Sequence, residues 1–253
     1  MRFLIFLILG LLGQVICFAQ SIKPTEQDLR YSKEFERSLL DLWVAEAKKP
    51  TPLVVYFHGG GFKKGDKKFF QNSPMLRKYY PKGISFASVN YPFLGQVEGR
   101  HLKILNHSVE AIRFLKTHSK KYNLDEESIS VMGNSAGALI TCHVGHAHNL
   151  GIRSIFPIQQ PMGTPLITIP FLRKEGPPIL VYNRSNRDDR VHHPDNAIFV
   201  KKKCDLLGVE CQVYGVEGSG LPVLPKGVDV NDLAMEFFKQ SWKKQRNKKQ
   251  NND

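Results

Sequence analysis

Ile129-Ser130-Val131-Met132-Gly133-Asn134-Ser135-Ala136-Gly137 decides the fold of this chain. The apolar run before Gly133 reads as a strand, and Ala138 to Val144 reads as a helix. The junction between them is a sharp turn with Ser135 at its apex. Glycines on both sides allow a backbone too tight for a bulky side chain, which pushes the serine hydroxyl into the open. A serine held this way is poised to attack a carbonyl, provided a base takes its proton.

Outward from this turn, the chain alternates strand and helix. Leu29 to Glu46 predicts two strands, the second over 37–43. Leu53-Val54-Val55-Tyr56-Phe57 is a continuous apolar run, the mark of a strand buried on both faces. Residues 68–80 predict a helix, and Ile84 to Val89 another buried strand. Leu105, Val109, Ile112 and Leu115 recur at helical spacing, so residues 103–121 predict an amphipathic helix. Strands at Ser154–Ile158, Pro178–Tyr182 and Val209–Val216 follow, with helices at 194–207 and 229–243. This order predicts an α/β fold with a mainly parallel sheet and helices on both faces. In such sheets the ligand sits beyond the carboxyl ends of the strands, where His58, Ser135, Asp188 and Ser219 all fall.

Composition sets broad limits. The chain has 253 residues, 42% hydrophobic and 23% charged, which suits one soluble domain with a substantial core. Arg2 followed by the apolar run Phe3 to Leu12, then Cys17-Phe18-Ala19, reads as a secretory signal over residues 1–19. The run is short for a membrane span, so the mature chain is expected to be exported, periplasmic or secreted, without stable membrane insertion. The domain then covers 20–243, and 244–253 is a basic tail expected to be disordered. The formal charge is +13, with a concentration of cations at the end, where Lys239, Lys243, Lys244, Arg246, Lys248 and Lys249 face only Asp253. Such a tail suits an anionic surface or, more plainly, a solvated extension. Nucleic acid is a poor partner for an exported chain without a recognisable binding module. Cys142, Cys204 and Cys211 remain after export; Cys204 and Cys211 are a candidate disulfide or two small buried thiols.

His58-Gly59-Gly60-Gly61-Phe62 directly follows the Leu53–Phe57 strand. Three glycines let backbone N–H groups approach an oxygen that becomes negative during acyl transfer. A flexible glycine turn is the plainer reading of this loop alone. With the serine turn it forms a pair of motifs in the right order. The chain resembles the α/β-hydrolases, nearest to the carboxylesterases and lipases with an HGGG loop, the hormone-sensitive-lipase-like group. The resemblance runs from about Leu39 to Phe238 and includes Ala87-Ser88-Val89-Asn90-Tyr91 and Tyr122-Asn123-Leu124-Asp125. It implies an α/β-hydrolase fold, Ser135 as nucleophile, and the N–H groups of Gly60, Gly61 and Ala136 as the oxyanion hole. His58 would be a structural member of its loop.

The resemblance places the acid after the Ile179–Tyr182 strand, within Asp188-Asp189-Arg190-Val191-His192. Asp188, three residues before the valine, is the expected acid, with Asp189 as its neighbour. The family's histidine belongs after the last strand. Here Glu217-Gly218-Ser219-Gly220 puts Ser219 in its place, and no histidine follows His193. Serine cannot accept a proton near neutral pH. Either the base has moved to His192 or His193, or the chain has lost its triad and binds without hydrolysing. His143, His146 and His148 match no familiar metal spacing, so neither a metal nor another cofactor is expected.

The segment Gln159 to Pro177 is short, and Pro161, Pro165 and Pro170 limit its regular structure. A minimal lid and an open cleft are expected. The resemblance then implies a small-molecule or polysaccharide-borne ester substrate, cleaved through an acyl-enzyme on Ser135. The alternative is a hydrolase-fold binding protein.

Overall fold

A computed structural model describes residues 21–250; the signal expected over 1–19 lies outside them. Eight strands form one sheet in the order β1-β2-β4-β3-β5-β6-β7-β8. The strands β1 (Glu26–Arg30) and β2 (Leu39–Trp43) pair antiparallel at one edge. From β4 (Ser85–Val89) through β3 (Thr51–Phe57), β5 (Leu124–Asn134), β6 (Ser154–Ile158), β7 (Ile179–Asn183) and β8 (Cys211–Gly215), every pairing is parallel.

The alternation of side chains along a strand divides the core into two layers. Leu53, Val55 and Phe57 face α2 (His101–Thr117), α3 (Ala136–His146) and α5 (Asp195–Leu207). Val54 and Tyr56 face α1 (Pro74–Tyr79) and α6 (Val230–Gln250), where Phe156, Phe238 and Trp242 also pack. Each large apolar side chain buried this way contributes about 1.5–3 kcal/mol. Because both faces are covered, β3 reads as a continuous apolar run. Loops at the carboxyl edge are thereby left to carry chemistry.

Two helix boundaries need correction. The helix expected over 68–80 divides into a 3₁₀ turn (Lys67–Asn72) and α1, because Pro74 disfavours a helical residue before it and Ser73 is extended (ψ 129°). The helix expected over 103–121 is α2, which starts two residues earlier and ends four earlier. Helix α6 runs to Gln250, and the last residues of the expected tail, 251–253, lie outside the described residues. No helix among the described residues is long and apolar enough to cross a membrane. Cys142, Cys204 and Cys211 are free thiols.

Candidate active site

Register brings the site together. Phe57 pairs with Gly133, Asn134 with Ile158, and Asn183 with Gly215, so the loops after β3, β5, β6, β7 and β8 leave along one edge.

Ser135 sits at the apex of the turn with φ 56° and ψ −117°, a region that L-residues avoid. Such strain persists only where the surroundings enforce it. Here they do. A Cβ on Gly133 would come within 2.3 Å of the Gly137 carbonyl oxygen, and one on Gly137 within 2.1 Å of that of Phe57. The Ser135 N–H donates to the Ile158 carbonyl at 2.9 Å, which ties the turn to β6.

The glycine loop lies directly against this turn. A Cβ on Gly59 would touch Ser135 Cβ at 3.4 Å and press on the Asn134 carbonyl at 2.9 Å. Gly60 and Gly61 take positive φ values of 119° and 62°. Lys63 and Lys64 both donate to the Gly60 carbonyl, closing the loop on itself. No hydrogen bond among the described residues engages the N–H of Gly60, Gly61 or Ala136. His58 is buried, stacked on Tyr91 at 4.4 Å, and its carbonyl accepts from the Tyr91 hydroxyl at 2.7 Å. Burial holds its imidazole below the ordinary histidine range. It braces the loop from below.

The imidazole beside Ser135 comes from the loop between β7 and α5. His192 Nε2 lies 2.9 Å from Ser135 Oγ, and His192 Nδ1 lies 3.2 Å from Asp189 Oδ2. With the Nδ1 proton held by the carboxylate, Nε2 is free to accept the serine proton. The carboxylate beside the ring is that of Asp189 and not of Asp188, the expected acid. Asp188 is exposed, and its N–H donates to Asn186 Oδ1 at 3.1 Å. Asp189 closes the turn instead: its Oδ1 accepts from the N–H groups of Val191 and His192 at 2.9 and 2.8 Å. That leaves Oδ2 facing the ring. His193 turns the other way, its Nδ1 3.5 Å from Asp195 Oδ2 at the start of α5.

Asp189 is held well below the usual carboxylate range, at about 2. The Ser185 hydroxyl donating to Oδ2 at 2.6 Å is the largest cause, followed by the His192 N–H. Sequence reasoning passed over the residues that hold this loop. Gln159, at φ 57°, donates through Nε2 to Ser185 Oγ at 2.9 Å and accepts from the Arg184 N–H. Asn183 donates to the His192 carbonyl at 2.9 Å and accepts from the Ser185 N–H at 3.0 Å. Their sequence signal is weak: a glutamine just past β6 and an asparagine at the end of β7.

Ser219 is sealed in its own turn. It is fully buried, its hydroxyl donates to the Val216 carbonyl at 2.6 Å, and it accepts from the Leu221 N–H at 3.2 Å. The other histidines pack. His143 Nε2 is 2.8 Å from Asn106 Oδ1, and His146 Nε2 is 3.1 Å from the Pro177 carbonyl.

A strained serine, an imidazole and a carboxylate lie within hydrogen-bond reach of one another, beside a glycine loop at the carboxyl edge of a sheet with the α/β-hydrolase fold. Residues 40–155 match the BD-FAE family model. No curated protein matches the chain. Among solved structures, it is similar to a truncated form of a carbohydrate esterase from gut microbiota (15% identity, TM-score 0.72, 86% of this chain and 96% of that one). It is also similar to the propionate-bound esterase 2 of Thermogutta terrifontis (15% identity, TM-score 0.67, 84% and 93%). A third is the bifunctional GH43-CE of Bacteroides eggerthii (17% identity, TM-score 0.70), with 85% of this chain aligned on 38% of that one. These likenesses establish the fold.

Proposed function

We propose that this chain is an exported serine hydrolase that cleaves carboxylic esters through an acyl-enzyme on Ser135. The observation that carries the reading is the 2.9 Å contact between His192 Nε2 and Ser135 Oγ, backed by Asp189. In this reading His192 takes the hydroxyl proton as Ser135 Oγ bonds to the ester carbonyl carbon. The carbonyl oxygen becomes negative and accepts hydrogen bonds from the N–H groups of Gly60, Gly61 and Ala136. The tetrahedral adduct collapses, the C–O bond to the alcohol breaks, and His192 returns the proton to the leaving oxygen. Water then repeats the sequence, releasing the acid and restoring Ser135. Asp189 stays ionised throughout and fixes the Nδ1–H tautomer.

The substrate class we propose is an exposed ester on a carbohydrate. Supporting it are the short segment between β6 and β7, which holds only α4 (Thr164–Ile167) and one 3₁₀ turn (Ile169–Phe171), and the similar structure named as a carbohydrate esterase. Export rests on the apolar N-terminal run.

The test is mass spectrometry of the protein after exposure to a fluorophosphonate. Rapid labelling at Ser135 that is lost in His192→Ala and kept in His193→Ala is expected. No labelling above a Ser135→Ala control would overturn the hydrolase reading.

A further inference from the structure

A second feature shares the carboxyl edge of the sheet with the nucleophile. A groove of about 440 Å³ opens on the α1/α6 side, over the ends of β3, β5, β6 and β7. That volume is in the range of small-ligand pockets. Its position follows from the turn itself. Asn134 precedes Ser135, so its side chain falls on the opposite face of β5 from the residues that pack under α3, and it lines the groove.

The lining has an unusual balance. Arg184 is its charged residue, and no aspartate or glutamate lines it. Arg184 Nη2 donates to Asn134 Oδ1 at 3.1 Å, so its guanidinium is held over the groove by the residue next to the nucleophile. No carboxylate pairs with Arg184 among the described residues, and the nearby Asp189 carboxylate is already engaged by Ser185 and His192. Burial pushes the Tyr56 phenol up, and the Arg184 charge works against that push, which places the two groups within electrostatic reach. Around them stand aromatic walls, Tyr56, Tyr182 and the exposed Phe69, with amides from Asn72 and Asn231.

The loop after β8 contributes nothing to this lining. It is drawn back onto β8, where the Gly215 N–H donates to the Pro222 carbonyl at 2.8 Å and Leu221 enters the core. The groove is therefore left uncovered on the side where that loop turns away.

We infer that this groove is a subsite for a carboxylate-bearing sugar, a uronic-acid residue in the substrate, with Arg184 as the group that reads its charge. Aromatic faces suit the C–H face of a pyranose, and the amides and phenols suit its hydroxyls. A guanidinium with one edge on Asn134 still offers donors to a carboxylate, the geometry that arginine matches best. An apolar acyl chain would instead leave the cation and amides unpaired, which is costly. This deepens the carbohydrate-ester reading and rests on it for the reaction, though the binding does not require turnover.

The experiment is a calorimetric titration of the protein with methyl glucuronoside and, separately, with methyl glucoside. Neither sugar carries an ester, so the result is independent of hydrolysis. The glucuronoside is expected to bind about tenfold more tightly, the difference expected from one partly screened charge-assisted contact. The difference should disappear in Arg184→Gln and shrink as salt is raised. Equal affinities in the wild-type protein, or no binding of either sugar, would overturn the subsite. Fluorophosphonate labelling of Ser135 on the same preparation reads the hydrolase proposal separately, so either can fail without the other.

Discussion

The loop after β7 and the loop after β8 leave the same edge of the sheet side by side, yet they do opposite things. The first, from Arg184 to Pro194, holds Asp189 and His192 in line with Ser135. The second, from Val216 to Asp229, buries the Ser219 hydroxyl in a turn of its own, bonded to the Val216 carbonyl and the Leu221 N–H. Proton transfer depends on where an imidazole nitrogen stands, not on which strand delivers it. In the proposed reading the base sits on the neighbouring loop, with both ends of the His192 ring engaged. Asp189 holds that ring within four residues, closing the turn with one oxygen and facing Nδ1 with the other.

The sharpest way to break this comparison is to remove the imidazole. His192→Ala should lower kcat on a simple ester by on the order of 10⁴–10⁶, while His193→Ala stays within a few-fold. Comparable losses in both would disprove the assignment. Next in size is the acid. Asp189→Asn should cost on the order of 10⁴ in kcat, whereas Asp188→Asn should be nearly silent, as read by steady-state kinetics. A large loss in the Asp188 variant alone would reverse their roles.

Placing histidine where the resemblance implied it tests the other loop. Ser219→His should destabilise by about 1–3 kcal/mol through overpacking, seen as a lower Tm, and should not restore turnover to His192→Ala. Recovery of activity would show that the second loop can still deliver a base. A smaller effect is expected at the support. Ser185→Ala removes the 2.6 Å bond to Asp189 and should lower kcat about fivefold with KM little changed.

The smallest expected effect concerns pH. The Asp189 carboxylate is depressed to about 2 in the folded chain, so its stabilisation is present above the unfolded value of 3.8 and is lost as pH falls toward 2. Between pH 7 and 5 the Tm gap between the wild type and Asp189→Asn should therefore not shrink. A gap that closes over that interval would mean the carboxylate is not held as described.

Much of this was legible in the chain. The apolar run of β3, the glycines around Ser135 and the helical spacing of α2 each follow from local rules of burial and sterics. The choice of Asp189 over Asp188 was not legible, because adjacent turn residues point apart and nothing in composition says which faces the sheet. Nor was the role of Gln159, whose partners Arg184 and Ser185 lie across from it on the loop after the neighbouring strand.

The sequence by itself determined the layered α/β architecture, the strained serine and the glycine loop, since each depends on residues near one another in the chain. Tertiary structure alone decided which imidazole reaches Ser135, that Ser219 is sealed, and that Arg184 stands over an open groove. Those outcomes depend on distances between loops far apart in sequence, and strand register, with the turns that follow it, sets such distances.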